Sequence, residues 1–133
     1  MMVRLRSPRV VSIFGNPDLP QDSLPLRILP ILKERFPGID FRAVDPNEDW
    51  EVPEELVAID AVAGIKRVQV FTDLKKFRDS PRLTSHDFDA LANLKYLKKL
   101  GKIKRVRIIG IPFEFEEQEA LAAVSKILSA SQP

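Results

Sequence analysis

Two periods of apolar residues alternate along this chain, one suited to strands and one to helices. Arg9-Val10-Val11-Ser12-Ile13-Phe14 is a β-branched run stopped by Gly15-Asn16-Pro17, which predicts a buried strand and then a loop. Asp22 or Ser23 can cap a helix running to about Phe36, and Pro25 suits its first turn. Leu26, Leu29, Leu32 and Phe36 form its expected buried stripe, and Pro30 is expected to kink it or shorten its first half. After Pro37-Gly38, the alternation from Ile39 to Val44 predicts a second strand, followed by the acidic loop Asp45-Pro46-Asn47-Glu48-Asp49. Leu56 to Val62 reads as a third strand, apolar on both faces apart from Asp60, and Arg67 to Phe71 as a fourth after the turn Ala63-Gly64-Ile65. Thr84 or Ser85 caps a helix from about Asp87 to Leu100 that Gly101 ends, with Phe88, Leu91, Leu94 and Leu97 on its apolar side. Arg105 to Ile111 is a fifth strand ending at Pro112. Glu116 to Leu128 is a last helix, with Leu121, Val124 and Leu128 inward and acids in its first turn.

This order of elements predicts an α/β fold: a three-layer α/β/α sandwich around a five-stranded, mostly parallel twisted sheet. The third and fourth strands are joined by a turn and can form a hairpin, which gives one antiparallel edge strand. The length, 133 residues, suits a single domain over 1–133, with 1–8 and 129–133 as flexible termini.

Composition narrows the chemistry. Residues are 44% hydrophobic and 30% charged, the balance of a globular protein, and 21 basic against 19 acidic residues leave a net charge of only +2. The chain has no cysteine, which excludes disulfides, thiolate metal sites and a cysteine nucleophile. No apolar stretch approaches the ~18 residues of a membrane span. Met1 to Ser7 lacks a signal-peptide core, so a soluble cytoplasmic protein with no membrane insertion is expected.

Open parallel sheets bind ligands at the carboxyl ends of their strands. Asp22 falls in the loop after the first strand, Asp45 directly after the second, Asp60 late in the third, and His86 at the start of a helix feeding back toward the fifth. Four candidate ligands from four segments therefore converge on one edge. Taken singly, Asp22 also reads as a helix cap and Asp45, beside Pro46, as a turn residue. Asp60 is harder to explain locally, because a carboxylate in an apolar strand is costly unless hydrogen-bonded, protonated or bound to a cation. His86 is the only histidine, and the positive end of its helix disfavours imidazolium, which leaves the ring able to bind metal.

Other motifs point away from chemistry. Lys95, Lys98, Lys99, Lys102, Lys104, Arg105 and Arg107 read as the solvated face of a helix and the strand after it; few aromatics accompany them, so no nucleic-acid partner is expected. Gly15-Asn16-Pro17 is not a phosphate-binding fingerprint, and neither GxGxxG, GxxxxGK[ST] nor GxSxG occurs.

Phe14-Gly15-Asn16-Pro17, Gln21-Asp22-Ser23, Ile59-Asp60-Ala61-Val62, Ser85-His86-Asp87 and Ile108-Ile109-Gly110-Ile111-Pro112 resemble, in order, the motifs of hydrogenase maturation proteases. These endopeptidases trim the C-terminal extension of [NiFe]-hydrogenase large subunits after nickel insertion. The resemblance runs from about Val10 to Leu128 and implies a twisted five-stranded sheet between helices. Carried over by position, it implies that Asp22, Asp60 and His86 are metal ligands, that Asp45 is a further acidic site residue, and that all four are catalytic. It implies nickel as the metal, carried by the substrate, and a [NiFe]-hydrogenase large-subunit precursor as the partner. Two carboxylates and one imidazole do not select nickel by themselves, since affinity follows the general divalent order. Such a set suits a metal that arrives bound to thiolates of the substrate. The chain departs from the family pattern at Gln21, usually acidic, at Ser23-Leu24-Pro25 and Pro46-Asn47, where glycines are usual, and at Gly64-Ile65-Lys66, usually a proline–glycine turn. A non-catalytic precursor-binding chaperone, or an unrelated ligand-binding α/β module reading its ligand with Gly15-Asn16-Pro17, are the alternatives.

Overall fold

Strand formation follows the β-branched runs closely. In a computed structural model of the chain, which describes residues 10–15, 18, 20, 23–45, 51–74 and 85–130 (side chains of the second helix from residue 92), five strands form one sheet. They are β1 (Val10–Phe14), β2 (Asp40–Val44), β3 (Glu55–Val62), β4 (Gln69–Phe71) and β5 (Arg105–Pro112), in the order β2-β1-β3-β5-β4. β1 pairs in parallel with β2 and β3, and β3 with β5 along its whole length. The predicted antiparallel edge strand is β4, but it pairs with β5 rather than forming a hairpin with β3. The connection from Ala63 to Val68, which turns through Gly64 at φ 82°, carries the chain past the neighbouring position, so β5 takes the place beside β3. β4 is also shorter than expected, with Arg67 and Val68 before it.

Three helices flank the sheet: α1 (Leu24–Arg35), α2 (Ser85–Lys99) and α3 (Glu117–Ala130). Alternation along the strands sorts the core into two layers. Val11, Ile13, Val57, Ile59, Ile109 and Ile111 pack with Leu24, Ile28 and Leu32 of α1 and with Val124 and Leu128 of α3. On the opposite face Phe14, Leu56, Ala58, Val62, Val106 and Ile108 pack with Leu94 of α2. Each such side chain contributes roughly 1.5–3 kcal/mol on burial. The layers make the expected three-layer sandwich.

Local expectations for α1 need three corrections. Its buried stripe is Leu24, Ile28 and Leu32, with Leu26, Leu29 and Phe36 only partly buried. The helix passes through Pro30 unshortened: Pro25 stands in the first turn, where no N–H is needed, and tertiary packing holds the rest. Ser23 occupies the cap position without capping; its hydroxyl instead donates to the Pro20 carbonyl at 2.9 Å. Gly101, at φ 81°, ends α2 as expected. α3 begins with the Glu116 N–H donating to the Glu119 carboxylate at 3.1 Å, half of a capping box. It continues through Ser129 and Ala130, so these two residues are helical rather than part of a flexible tail, and 1–8 and 131–133 lie outside the described residues. No helix among the described residues is long and apolar enough to cross a membrane.

Candidate active site

The parallel strands all end on one edge of the sheet, and two of the four candidate residues, Asp45 and Asp60, can be placed there from the backbone. β1 and β2 finish in register at Phe14 and Val44, so Asp45 leaves the sheet beside Gly15. Asp45 is half-buried. Asp60 sits two residues before the end of β3, directly opposite Gly110 of β5. It is only 4% exposed, and it alternates with Leu56, Ala58 and Val62, which face the layer closed by α2. The carboxylate engages a neighbouring group rather than standing isolated, as burial of a charge requires.

α2 leads into β5. Its last turn leads through Gly101 to the start of β5, where Lys104 and Arg105 donate their backbone N–H groups to the Glu54 carbonyl at 2.7 and 3.1 Å. That junction lies at the amino-terminal edge of the sheet. A helix of 15 residues spans about 22 Å, close to the ~26 Å of the eight-residue β3. His86 is the second residue of α2, whose Leu94 packs on the sheet face that Asp60 shares. The side chain of His86 and the whole of Asp22 lie outside the described residues. Among the described residues no group of three metal-binding side chains occurs.

Although Asp22 is not described, its flanks are. Arg27, one turn into α1, donates from Nη2 to the Pro20 carbonyl at 3.0 Å and from Nε to the Ser23 hydroxyl at 3.1 Å. Its Nη1 donates to Glu117 of α3 at 3.0 Å. One guanidinium thus ties both sides of the two-residue stretch Gln21-Asp22 to two helices. Sequence reading does not reach this residue, because its partner Glu117 lies 90 positions away.

Two further residues near Asp60 carry signals that were readable. Gly110 interrupts an isoleucine-rich strand, and a glycine in a strand interior often marks close approach of a neighbour. A Cβ there would lie 2.9 Å from both the Phe71 ring and Val62 Cγ2. Gly110 therefore lets Phe71 close over the sheet beside Asp60. Ser12, 1% exposed in β1, pairs with Ala58, two residues before Asp60 on β3, and places the only other buried polar side chain of the described strands nearby.

A mostly parallel five-stranded sheet with one antiparallel edge strand, flanked by helices on both faces, is an architecture shared with other solved structures. The chain is similar to the hydrogenase maturating endopeptidase HybD from E. coli, with a TM-score of 0.60 and 17% identity over 92% of this chain and 91% of that one. It is also similar to an uncharacterized protein from Wolinella succinogenes, with a TM-score of 0.55 and 16% identity over 92% and 93% of the two chains. No family model matches the sequence, and no curated protein does. What is shared with HybD at this identity is the fold, along nearly the full length of both chains.

Proposed function

We propose that the protein is an endopeptidase that removes the C-terminal extension of a [NiFe]-hydrogenase large-subunit precursor after nickel insertion, in the cytoplasm. The observation that carries this reading is the buried Asp60 at the carboxyl edge of β3, in a fold shared with HybD. That is the strand position at which the motif resemblance expects a ligand. Asp22 and His86, from the β1–α1 loop and the start of α2, are the other two ligands in this reading. Together they contact the nickel that the precursor brings, an ion already held by the precursor's own thiolates. Recognition then depends on the metal state of the substrate, because the enzyme's set of two carboxylates and one imidazole is too small and too hard to hold nickel tightly by itself.

Hydrolysis adds one water across the scissile peptide bond. Asp45, which directly follows β2 at the same edge of the sheet, takes the proton from that water in this reading and returns it to the leaving amine. Arg27 bonds to Pro20 and Ser23, the residues on either side of Gln21-Asp22, and to Glu117 of α3. Gly110, opposite Asp60, leaves the room that Phe71 and Val62 fill on that face.

The test is incubation of the purified protein with nickel-loaded and nickel-free precursor, followed by mass measurement of the precursor's C-terminus. Shortening of the nickel-loaded form alone is the expected result. Equal cutting of both forms would make the protein an ordinary peptidase, and a stable complex with no cutting would make it a precursor-binding chaperone.

A further inference from the structure

The basic run from Lys95 to Arg107 holds seven of the 21 basic residues of the chain and no acidic one. Its helical part turns one face to solvent. Leu94 and Leu97 of α2 pack inward on the sheet. Successive helix residues rotate by about 100°, so Lys95, Tyr96, Lys99 and Leu100 gather within about 140° on the opposite side. Leu100 holds the next helical position past α2, since its N–H donates to the Tyr96 carbonyl at 3.0 Å. Tyr96 is 63% exposed and Leu100 53%, the two most exposed large apolar side chains among the described residues. Lys98 and Lys102, also exposed, add charge beside them. Lysines near a helix C-terminus complement its dipole, which accounts for the charge. It does not account for an exposed tyrosine and leucine one turn apart among those lysines.

We propose that this face of α2 docks reversibly on an anionic lipid surface, with the lysines among the headgroups and Tyr96 and Leu100 entering the boundary of the acyl chains. An anionic bilayer surface offers both things the patch asks for, negative charge and an apolar layer just beneath it. The cations of the helical face are all lysines, whose stems lie along apolar surface while the hydrated ammonium stays in water. Arginine, whose fork suits fixed carboxylate or phosphate partners, enters the run only at Arg105 on β5. The carboxylates at that junction, Glu54 and Glu55, face Lys104 and Arg105 across 3.7 and 3.6 Å, which leaves the helical lysines as net charge. Each lysine close to such a surface strengthens binding roughly fivefold, so four support a weak, salt-sensitive association. A second copy of the chain fits less well, because it would set lysine against lysine. A nucleic-acid duplex would take the lysines but leave Leu100 without an apolar contact.

Co-sedimentation of the intact protein tests this, with vesicles of phosphatidylcholine alone and of phosphatidylcholine containing about one-third phosphatidylglycerol. Binding to the anionic vesicles alone is expected, and it should be lost as salt rises from about 0.05 to 0.5 M. The variants K95E/K99E and K33E/K126E carry the same net charge, but Lys33 and Lys126 are exposed on α1 and α3, across the sheet. K95E/K99E should bind at least about tenfold more weakly than K33E/K126E. Y96S/L100S keeps every charge and should weaken binding at least about threefold. Thermal melting checks that each variant, altered only at exposed positions, remains folded. No binding to anionic vesicles at low salt, equal binding to neutral ones, equal loss in the two lysine pairs, or full binding by Y96S/L100S would each overturn the proposal. So would K95E/K99E raising the KM for precursor, or weakening binding to a DNA duplex, with vesicle binding intact, since the face would then serve a protein or a nucleic acid.

Discussion

β3 carries a carboxylate toward each end, and the two live in different worlds. Glu55, at its start, is exposed and faces Arg105 across 3.6 Å of solvent-accessible space. Asp60, five residues on, is 4% exposed among valine, alanine and isoleucine. The same backbone, paired in register with β5 throughout, supports both. The amino-terminal edge keeps its charges in water and loosely paired, an arrangement worth roughly 0–1 kcal/mol per pair. The carboxyl edge places a carboxylate where desolvation is costly. A protein selected only for stability has no reason to do this, since an apolar residue of similar size in such a place is often neutral or stabilising. The comparison teaches that one strand holds its two carboxylates in opposite ways, Glu55 in water and loosely paired, Asp60 buried and with an interaction partner of its own.

The sharpest way to break that comparison is Asp60→Asn, which keeps the volume and a hydrogen-bonding group. Processing of nickel-loaded precursor should fall by about a hundredfold or more, the size of effect expected when a group in the reacting site is lost. Stability in urea or heat should shift by no more than about 1 kcal/mol, in either direction. A fully active Asp60→Asn protein would reduce Asp60 to a structural residue and erase the difference between the two ends of β3.

Gly110→Ala comes next. The added methyl would lie 2.9 Å from the Phe71 ring and from Val62, inside a packed layer between strands. Overpacking of this kind costs about 1–3 kcal/mol, to be read from the shift in thermal or denaturant midpoint. Gly101 has open space for a methyl, so the penalty of Gly101→Ala comes from its φ of +81° alone, about 1 kcal/mol. If the two variants lose the same stability, close packing beside Asp60 is not what requires Gly110.

Arg27→Ala removes three hydrogen bonds from a part-exposed group and should cost about 1 kcal/mol of stability. Processing should fall by more than that loss explains when assayed well below the melting temperature, because both flanks of Gln21-Asp22 are released. Arg27→Lys keeps the charge for Glu117 but has no fork to reach Pro20 and Ser23 together, so it should restore stability better than activity. Equal rescue of both would show that the loop does not depend on the clamp.

What could be read in advance divides along the same line. Strands β1, β3 and β5 are continuous β-branched runs, and their edges matched because period and composition agree there. The α/β sandwich followed from their alternation with helices. The partner of β4 was not legible: a turn after β3 favours a hairpin locally, and only the competition of β5 for the same edge decides otherwise. The stripe of α1 was right at Leu32 but not at Leu26, Leu29 and Phe36, which are only partly buried, because leucines and isoleucines stand on adjacent faces of that helix and the sheet selects Leu24 and Ile28. Asp60 was visible as a lone acid in an apolar strand. Arg27 was not, because an arginine on a helix looks alike whether it faces water or bridges two segments distant in sequence.

The smallest expected effect belongs to the exposed end of β3. Glu55→Gln removes one charge of a pair whose side chains are 72% and 81% exposed. The junction there does not depend on it, because the Lys104 and Arg105 N–H groups both donate to the Glu54 carbonyl and the strands stay in register from Glu55 and Arg105 onward. Stability should therefore change by less than about 0.5 kcal/mol, and processing should not change. A double-mutant cycle with Arg105→Gln isolates the pair itself, and its coupling should also stay below about 0.5 kcal/mol and shrink further in high salt. A coupling above about 1 kcal/mol, beyond the range measured for exposed pairs, would show that this ion pair fastens the β3–β5 junction. The two ends of β3 would then differ in degree of burial but not in kind.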